Sequence, residues 1–259
     1  MKKIIAGLTM AATLFASAAP VFALTQSEAK DAWIQAQKTR MDADAAYRQA
    51  QIDYQASKTP ENEQKVVDTA KTVLSDALDE AQAWLDWKKL EADGDARVPS
   101  DIKQNIDSDV AKNLAKIDGF RTDVAGITNR AQVLVVFLKI VGGYVELVTD
   151  VARNSGSMWV YIGQQLSTKA SDYEAKLRVA AADLPNNADI IAKLDSAQSE
   201  IDLANGKIEM AKAAYQKVTL PGTPLLKFAE GNEDLRGARL NLLNAEGQME
   251  QALRLIGTN

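Results

Sequence analysis

The 259-residue chain contains no cysteine and no histidine, and these two absences exclude more chemistry than any motif in it suggests. Without cysteine there is no disulfide, no thiolate nucleophile and no N-terminal cysteine to carry a lipid. Without histidine there is no Ser-His-Asp triad, no imidazole metal ligand and no switch that titrates as imidazole does. Proline is scarce. Five of the six prolines, Pro60, Pro99, Pro185, Pro221 and Pro224, fall between helical patterns, and Pro20 falls near the N-terminus. Sustained two-residue alternation is missing throughout, so strands are not expected.

Residues 1–23 read as a secretory signal peptide. Lys2 and Lys3 precede an apolar stretch from Ile4 to Phe15, and Val21 and Ala23 suit a cleavage site before Leu24. The apolar stretch is too short to span a bilayer. Residues 24–259 read as a single all-α domain. Loss of the two lysines takes the net charge from −5 to −7. That acidity argues against nucleic acid or anionic lipid headgroups as the main partner. An exported chain without disulfides depends on its hydrophobic core, and one of this length can build it.

Apolar spacing predicts long helices. Ile190, Leu194, Ala197, Ile201, Ala204, Ile208, Ala211, Tyr215 and Val218 step by four and three without a polar intruder. Phe228, Gly231, Leu235, Ala238, Leu242, Ala245, Met249, Ala252 and Ile256 do the same, as do Ala29, Trp33, Ala36, Ala43, Tyr47, Ala50 and Tyr54, interrupted only by Arg40. Alanine recurs every seventh residue in these seams, which lets antiparallel neighbours approach closely. A wider stripe from Val66 to Leu85 marks a second helix that meets two neighbours. The expected architecture is an elongated antiparallel bundle, or coiled-coil hairpins, of six to seven long helices.

The most apolar run beyond the leader is VLVVFLKIVGGYVELV, Val133–Val148. Eleven large apolar residues favour membrane insertion by roughly 3–7 kcal/mol, and Lys139 and Glu146 oppose it by a similar amount. The run also falls short of the ~20 residues a span requires. A buried spine is the expectation. Ile127, Ala131, Leu134, Leu138, Val141, Val145, Val148 and Ala152 would form one seam, with Val133, Phe137, Ile140, Tyr144, Leu147 and Val151 beside it. The remaining stripe, Gln132, Val136, Lys139, Gly143, Glu146, Asp150 and Arg153, would stay wet. The same stepping runs back through Ile106, Val110, Asn113, Ile117, Phe120 and Val124. This leaves open whether one helix covers residues 100–153, with Arg153 to Ser157 as its end or a hinge.

No catalytic residue, cofactor site or metal site emerges. Glu91, Asp93 and Asp95 lack the glycine placement of a calcium loop, and LPGTP, Leu220–Pro224, reads as a rigid connector rather than a sorting signal. Candidate contact residues for a partner or membrane are Trp84, Trp87, Val136, Lys139, Gly142, Gly143 and Trp159. Gly142-Gly143 allows close backbone approach or bending. The expected function is non-enzymatic: an exported, extracytoplasmic bundle with a structural or partner-binding role, through a protein partner or self-association. The alternative is a membrane-active bundle that uses Val133–Val148, an architecture similar in outline to helical pore-forming toxins.

Overall fold

Local capping signals place the helix starts. Thr25 accepts a hydrogen bond from the Glu28 backbone while the Glu28 carboxylate answers at the Thr25 backbone, 2.7 Å away. Thr59 caps the next helix at the amide of Asn62, with Pro60 in the first turn where its missing N–H costs nothing. The computed structural model describes residues 25–258, so the expected leader lies outside the described residues. It is an all-α helical bundle of six helices: α1 (Gln26–Ala56), α2 (Pro60–Gly94), α3 (Ser100–Ala125), α4 (Arg130–Ala181), α5 (Ala188–Gln216) and α6 (Pro224–Thr258). No strand occurs among the described residues.

The chain divides into two compact units at Val151 and Ala152, inside α4. In the first, α1, α2, α3 and the Arg130–Val151 part of α4 form an up-and-down four-helix arrangement. The three-residue link Ser57–Thr59 forces α1 and α2 antiparallel. Along α4 the contacts descend α3 as they ascend α4: Lys139 pairs with Asp123 at 3.1 Å, Glu146 with Lys116, and Asp150 with Lys112 at 3.3 Å. The seven-residue step from Lys139 to Glu146 is matched by seven residues on α3, which fixes an antiparallel register. On its other flank α4 meets α1, where the Arg130 guanidinium lies 4.5 Å over the Tyr54 ring and Tyr144 lies near Arg40.

In the second unit the Ala152–Ala181 part of α4 packs with α5 and α6. Every residue of the α5 seam from Ile190 to Val218 is buried, and Ala197, Ala204 and Ala211 share two continuous core clusters with the matching alanines Ala238, Ala245 and Ala252 of α6. Side chains no larger than a methyl group bring the two helices close, and the intervening isoleucines and Leu194 fill the space between. LPGTP lies in the connection between these helices, as expected, with Pro224 opening α6.

The structure answers the question that the sequence left open in the middle region. Residues 100–153 are not one helix. Gly126 ends α3, and Asn129 starts α4 by accepting the Gln132 amide at 3.0 Å, while the Gln132 side chain accepts the Thr128 amide at 2.7 Å. Nor does α4 end between Arg153 and Ser157; its helix continues to Ala181. Gly156 there forms a notch for a side chain of α5. A Cβ at this position would stand 2.3 Å from the base of the Tyr215 ring, and one at Gly231 would stand 2.6 Å from the ring nearer its hydroxyl end. Tyr215, fully buried, fits between the two glycines and donates its hydroxyl to Asn232 at 2.8 Å.

Candidate functional site

The middle of the seam expected to be the buried spine, from Ala131 to Val145, is turned outward, while its ends Ile127 and Ala152 are buried. Leu134 is 56 % exposed, Leu138 59 % and Val145 43 %, whereas Val136, Ile140, Leu147 and Val151 are buried. Val141 is half-buried and Gly142 is exposed. The inward line therefore runs through positions expected to belong to the wet stripe and to the second seam. Electrostatics accompanies this orientation. Lys139 and Glu146 stay about half exposed at the edge of α4 while pairing with Asp123 and Lys116 of α3, and Asp150 is buried against Lys112. With the charges held toward α3, the apolar strip is the face left over.

This leaves an α-helical face free of charge, with Ala131, Leu134, Val135, Leu138, Gly142 and Val145 all exposed. Isolated exposed leucines are ordinary, whereas a contiguous apolar strip along three helical turns is not. By length and composition α4 is able to cross a membrane. Its most apolar 18-residue window has a mean hydropathy of 1.8, and only 17 % of that window is buried.

The two glycines at the centre of the strip differ. Gly142 has open space where a side chain would sit, while a Cβ on Gly143 would lie 2.4 Å from the Phe120 ring of α3. Gly142→Ala is expected to raise the melting temperature by the equivalent of about 0.5–1 kcal/mol, the usual gain of alanine over glycine inside a helix. Gly143→Ala is expected to lower it, because displacing Phe120 costs about 1–3 kcal/mol. Thermal melts of the two variants check this directly.

The other candidate contact residues are scattered. Val136 is buried and Gly143 is covered by Phe120, so neither is open to a partner. Lys139 remains partly exposed, although paired. Trp84 is half-buried. Trp87 stacks not with Trp84 but on Trp33 of α1, with ring centroids 5.0 Å apart, and Lys88 lies 4.1 Å over its face. Trp159, in the second unit, is 38 % exposed and rests against Phe228. The acids of the loop after α2 face separate cations, Glu91 to Lys88, Asp93 to Lys89 and Asp95 to Arg97, rather than a common point. Hydrogen bonds from Arg97 hold the Asp95 carboxyl down at about 2.

Sequence reasoning missed a buried polar group, although Arg40 signalled it by interrupting the α1 seam. Arg40 is buried near Asp44 on its own helix and Glu80 on α2. Trp33 donates its indole N–H to Glu80 at 3.3 Å, and the second Glu80 oxygen has no hydrogen-bond partner. Burial pushes the Glu80 carboxyl up to about 7, against the smaller opposing effects of the Trp33 hydrogen bond and Arg40. Asp76 is pushed up to about 6, by burial and then by Asp79.

A raised carboxyl pKa means that the folded state holds the proton more tightly than the unfolded chain. The Glu80 contribution to stability is therefore fully present below about pH 4.5 and lost as pH rises through about 7. Glu80→Gln keeps an acceptor for Trp33 and removes the ionisation. It is expected to flatten this part of the pH profile and to stabilise the first unit near pH 8 by on the order of 1–3 kcal/mol. Urea titrations of both proteins at pH 5 and pH 8 measure the difference. Acidification strengthens this cluster rather than releasing it.

Between α2, α3 and α4 lies a small cavity lined by Ala77, Leu78, Ile117, Ile140 and Leu147 together with Asn113. Asn113 donates to Asp150 at 3.0 Å. No group of acids able to hold a metal ion occurs among the described residues. Comparison of the chain with protein-family models, with curated proteins and with solved structures found no match.

Proposed function

We propose that this chain is an exported, non-enzymatic helical bundle that works by docking the outer face of α4 onto a partner. The observation behind this reading is the uncharged strip of Leu134, Val135, Leu138 and Val145, left exposed while Lys139 and Glu146 pair with α3. Leaving such a strip in water forgoes about 25 cal/mol for each Å² of apolar surface, which burial against a partner would recover. The leader-like N-terminus supports an extracytoplasmic location, and the lack of cysteine and histidine fits a role without covalent or imidazole chemistry. Cell fractionation tests the export arm: a chain that retains residues 1–23 and stays in the cytoplasm refutes it.

A second reading, membrane activity, is favoured by the length and hydropathy of α4 and by how little of its apolar window is buried. Leaving the bundle would separate Lys139 and Glu146 from their α3 partners, and that opposes insertion. Dye-loaded vesicles distinguish the two. Release at neutral or acid pH supports membrane activity, and intact vesicles at high protein concentration support docking on protein.

A further inference from the structure

Independently of the outer face of α4, we infer that α1 is a strap latched through Glu80. It stays docked while that carboxyl is protonated. When the proton leaves, α1 lifts away, and α2, α3 and the Arg130–Val151 part of α4 remain folded.

The helices of this unit differ in what they bury. The buried apolar residues of α1 are alanines, Ala29, Ala36 and Ala50, and its other buried residues are Arg40 and Asp44. Its larger side chains Trp33, Ile34, Tyr47 and Tyr54 are only half-buried. By contrast α2 buries Val66, Val67, Val73, Leu74, Leu78 and Leu85, and α3 buries Ile106, Val110, Ile117 and Val124. An alanine withdraws little apolar surface from water, so hydrophobic burial holds α1 less firmly than its neighbours. Those neighbours are also tied together without it. Arg121 of α3 reaches Asp79 and Gln82 of α2, Lys89 of α2 reaches Asp107, and paired charges join α3 to α4.

What α1 brings to the interface is polar. Glu80 of α2, 6 % exposed, meets Trp33 and Arg40 from α1 and Tyr144 from α4. Asp44 and Arg48 stand beside Arg40, and Asp76 lies one turn earlier on α2. From α3, Arg121 is directed to Asp79. Protonated, Glu80 accepts the Trp33 indole N–H and adds no charge to the interface. Ionised, it is a buried carboxylate with one oxygen lacking a hydrogen-bond partner, and three acids, Asp44, Asp76 and Glu80, then surround one buried arginine. Undocking α1 returns these groups to water and relieves that cost. Burial raises Glu80 to about 7, so docking is favoured in acid and opening increases as pH rises toward that value.

Because the chain has no native cysteine, Ala36→Cys places the sole thiol on the covered face of α1, and Val110→Cys places one in the α3 core. Labelling rates are divided by those of the urea-unfolded chain at the same pH. Protection at position 36 is expected to fall on the order of 50-fold from pH 5 to pH 8, and protection at position 110 by less than about threefold. With Glu80→Gln the fall at position 36 is expected to shrink to about tenfold or less, the part that Asp76 supplies. Hydrogen exchange of the unsubstituted chain, corrected for the intrinsic rate at each pH, repeats the comparison of α1 with α3. Equal loss of protection at both positions would mean that the unit opens as a whole and overturns the strap. Constant protection of α1 between pH 5 and pH 8 also overturns it, and a Glu80→Gln profile as steep as wild type overturns Glu80 as the latch.

Discussion

Tyr215→Ala is expected to lower the stability of the second unit by about 3–5 kcal/mol, the range for deleting a large buried aromatic. The ring lies between α4 and α6, filling the notches at Gly156 and Gly231 and contacting Phe228 at 5.8 Å, so its removal leaves a void shared by three helices. Loss of the hydroxyl also leaves the Asn232 side chain without its donor. The notches make a second-order prediction. In the wild-type background Gly156→Ala is expected to cost about 1–3 kcal/mol, because the clash is with the base of the ring, which cannot swing aside. In the Tyr215→Ala background the same change fills vacated space and is expected to be neutral or to gain up to about 1 kcal/mol. Urea denaturation followed by Trp159 fluorescence, with hydrogen exchange in α5 and α6, completes the double-mutant cycle. Equal costs in both backgrounds would show that Gly156 does not serve the ring.

The second large effect separates two residues of one helix. Ile140→Asp is expected to abolish the cooperative fold of the first unit, at a cost above about 4 kcal/mol, since a carboxylate would replace a side chain 2 % exposed in its core. Leu138→Asp, two positions earlier and on the outer face, is expected to change stability by less than about 1 kcal/mol. Melting curves of the two variants are sufficient. The buried spine anticipated from sequence included both residues, so the contrast between them tests the register of α4. Comparable losses would restore the inward orientation of Leu134 and Leu138.

The misplacement of that face has a definite physical origin. On α5 and α6 the seams contain no charge, so a single orientation buries them, and the positions read from sequence are those turned inward. On α1 Arg40 interrupted the pattern yet did not move it. On α4 two apolar faces competed, and which of them turned inward depended on where the partners of Lys139 and Glu146 stand. Spacing within α4 does not answer that question; the answer lies in α3, whose Asp123 and Lys116 stand at the corresponding heights. The break between α3 and α4 was legible in principle, because Asn129 followed three residues later by Gln132 is a capping signature. It was obscured by a seam that runs through the loop, where Ile127 is buried in phase with both helices. Glycines were the least readable. Sequence marks where backbone could approach backbone, but not that Phe120 would cover Gly143 while Gly142 stays open.

The paired charges between α3 and α4 matter for more than the energy they supply, which for partly exposed pairs amounts to at most about 1 kcal/mol each. Their order of sign is not repetitive. Sliding α4 by one heptad along α3 would set Lys139 against Lys116 and Glu146 against Asp109, like facing like at both rungs. The apolar layers alone, built from similar aliphatic side chains, would tolerate that slip far better. The ionic ladder thus works as a vernier: it adds little to the depth of the native well, but it removes the neighbouring wells one heptad away, so a collapsing chain finds a single alignment.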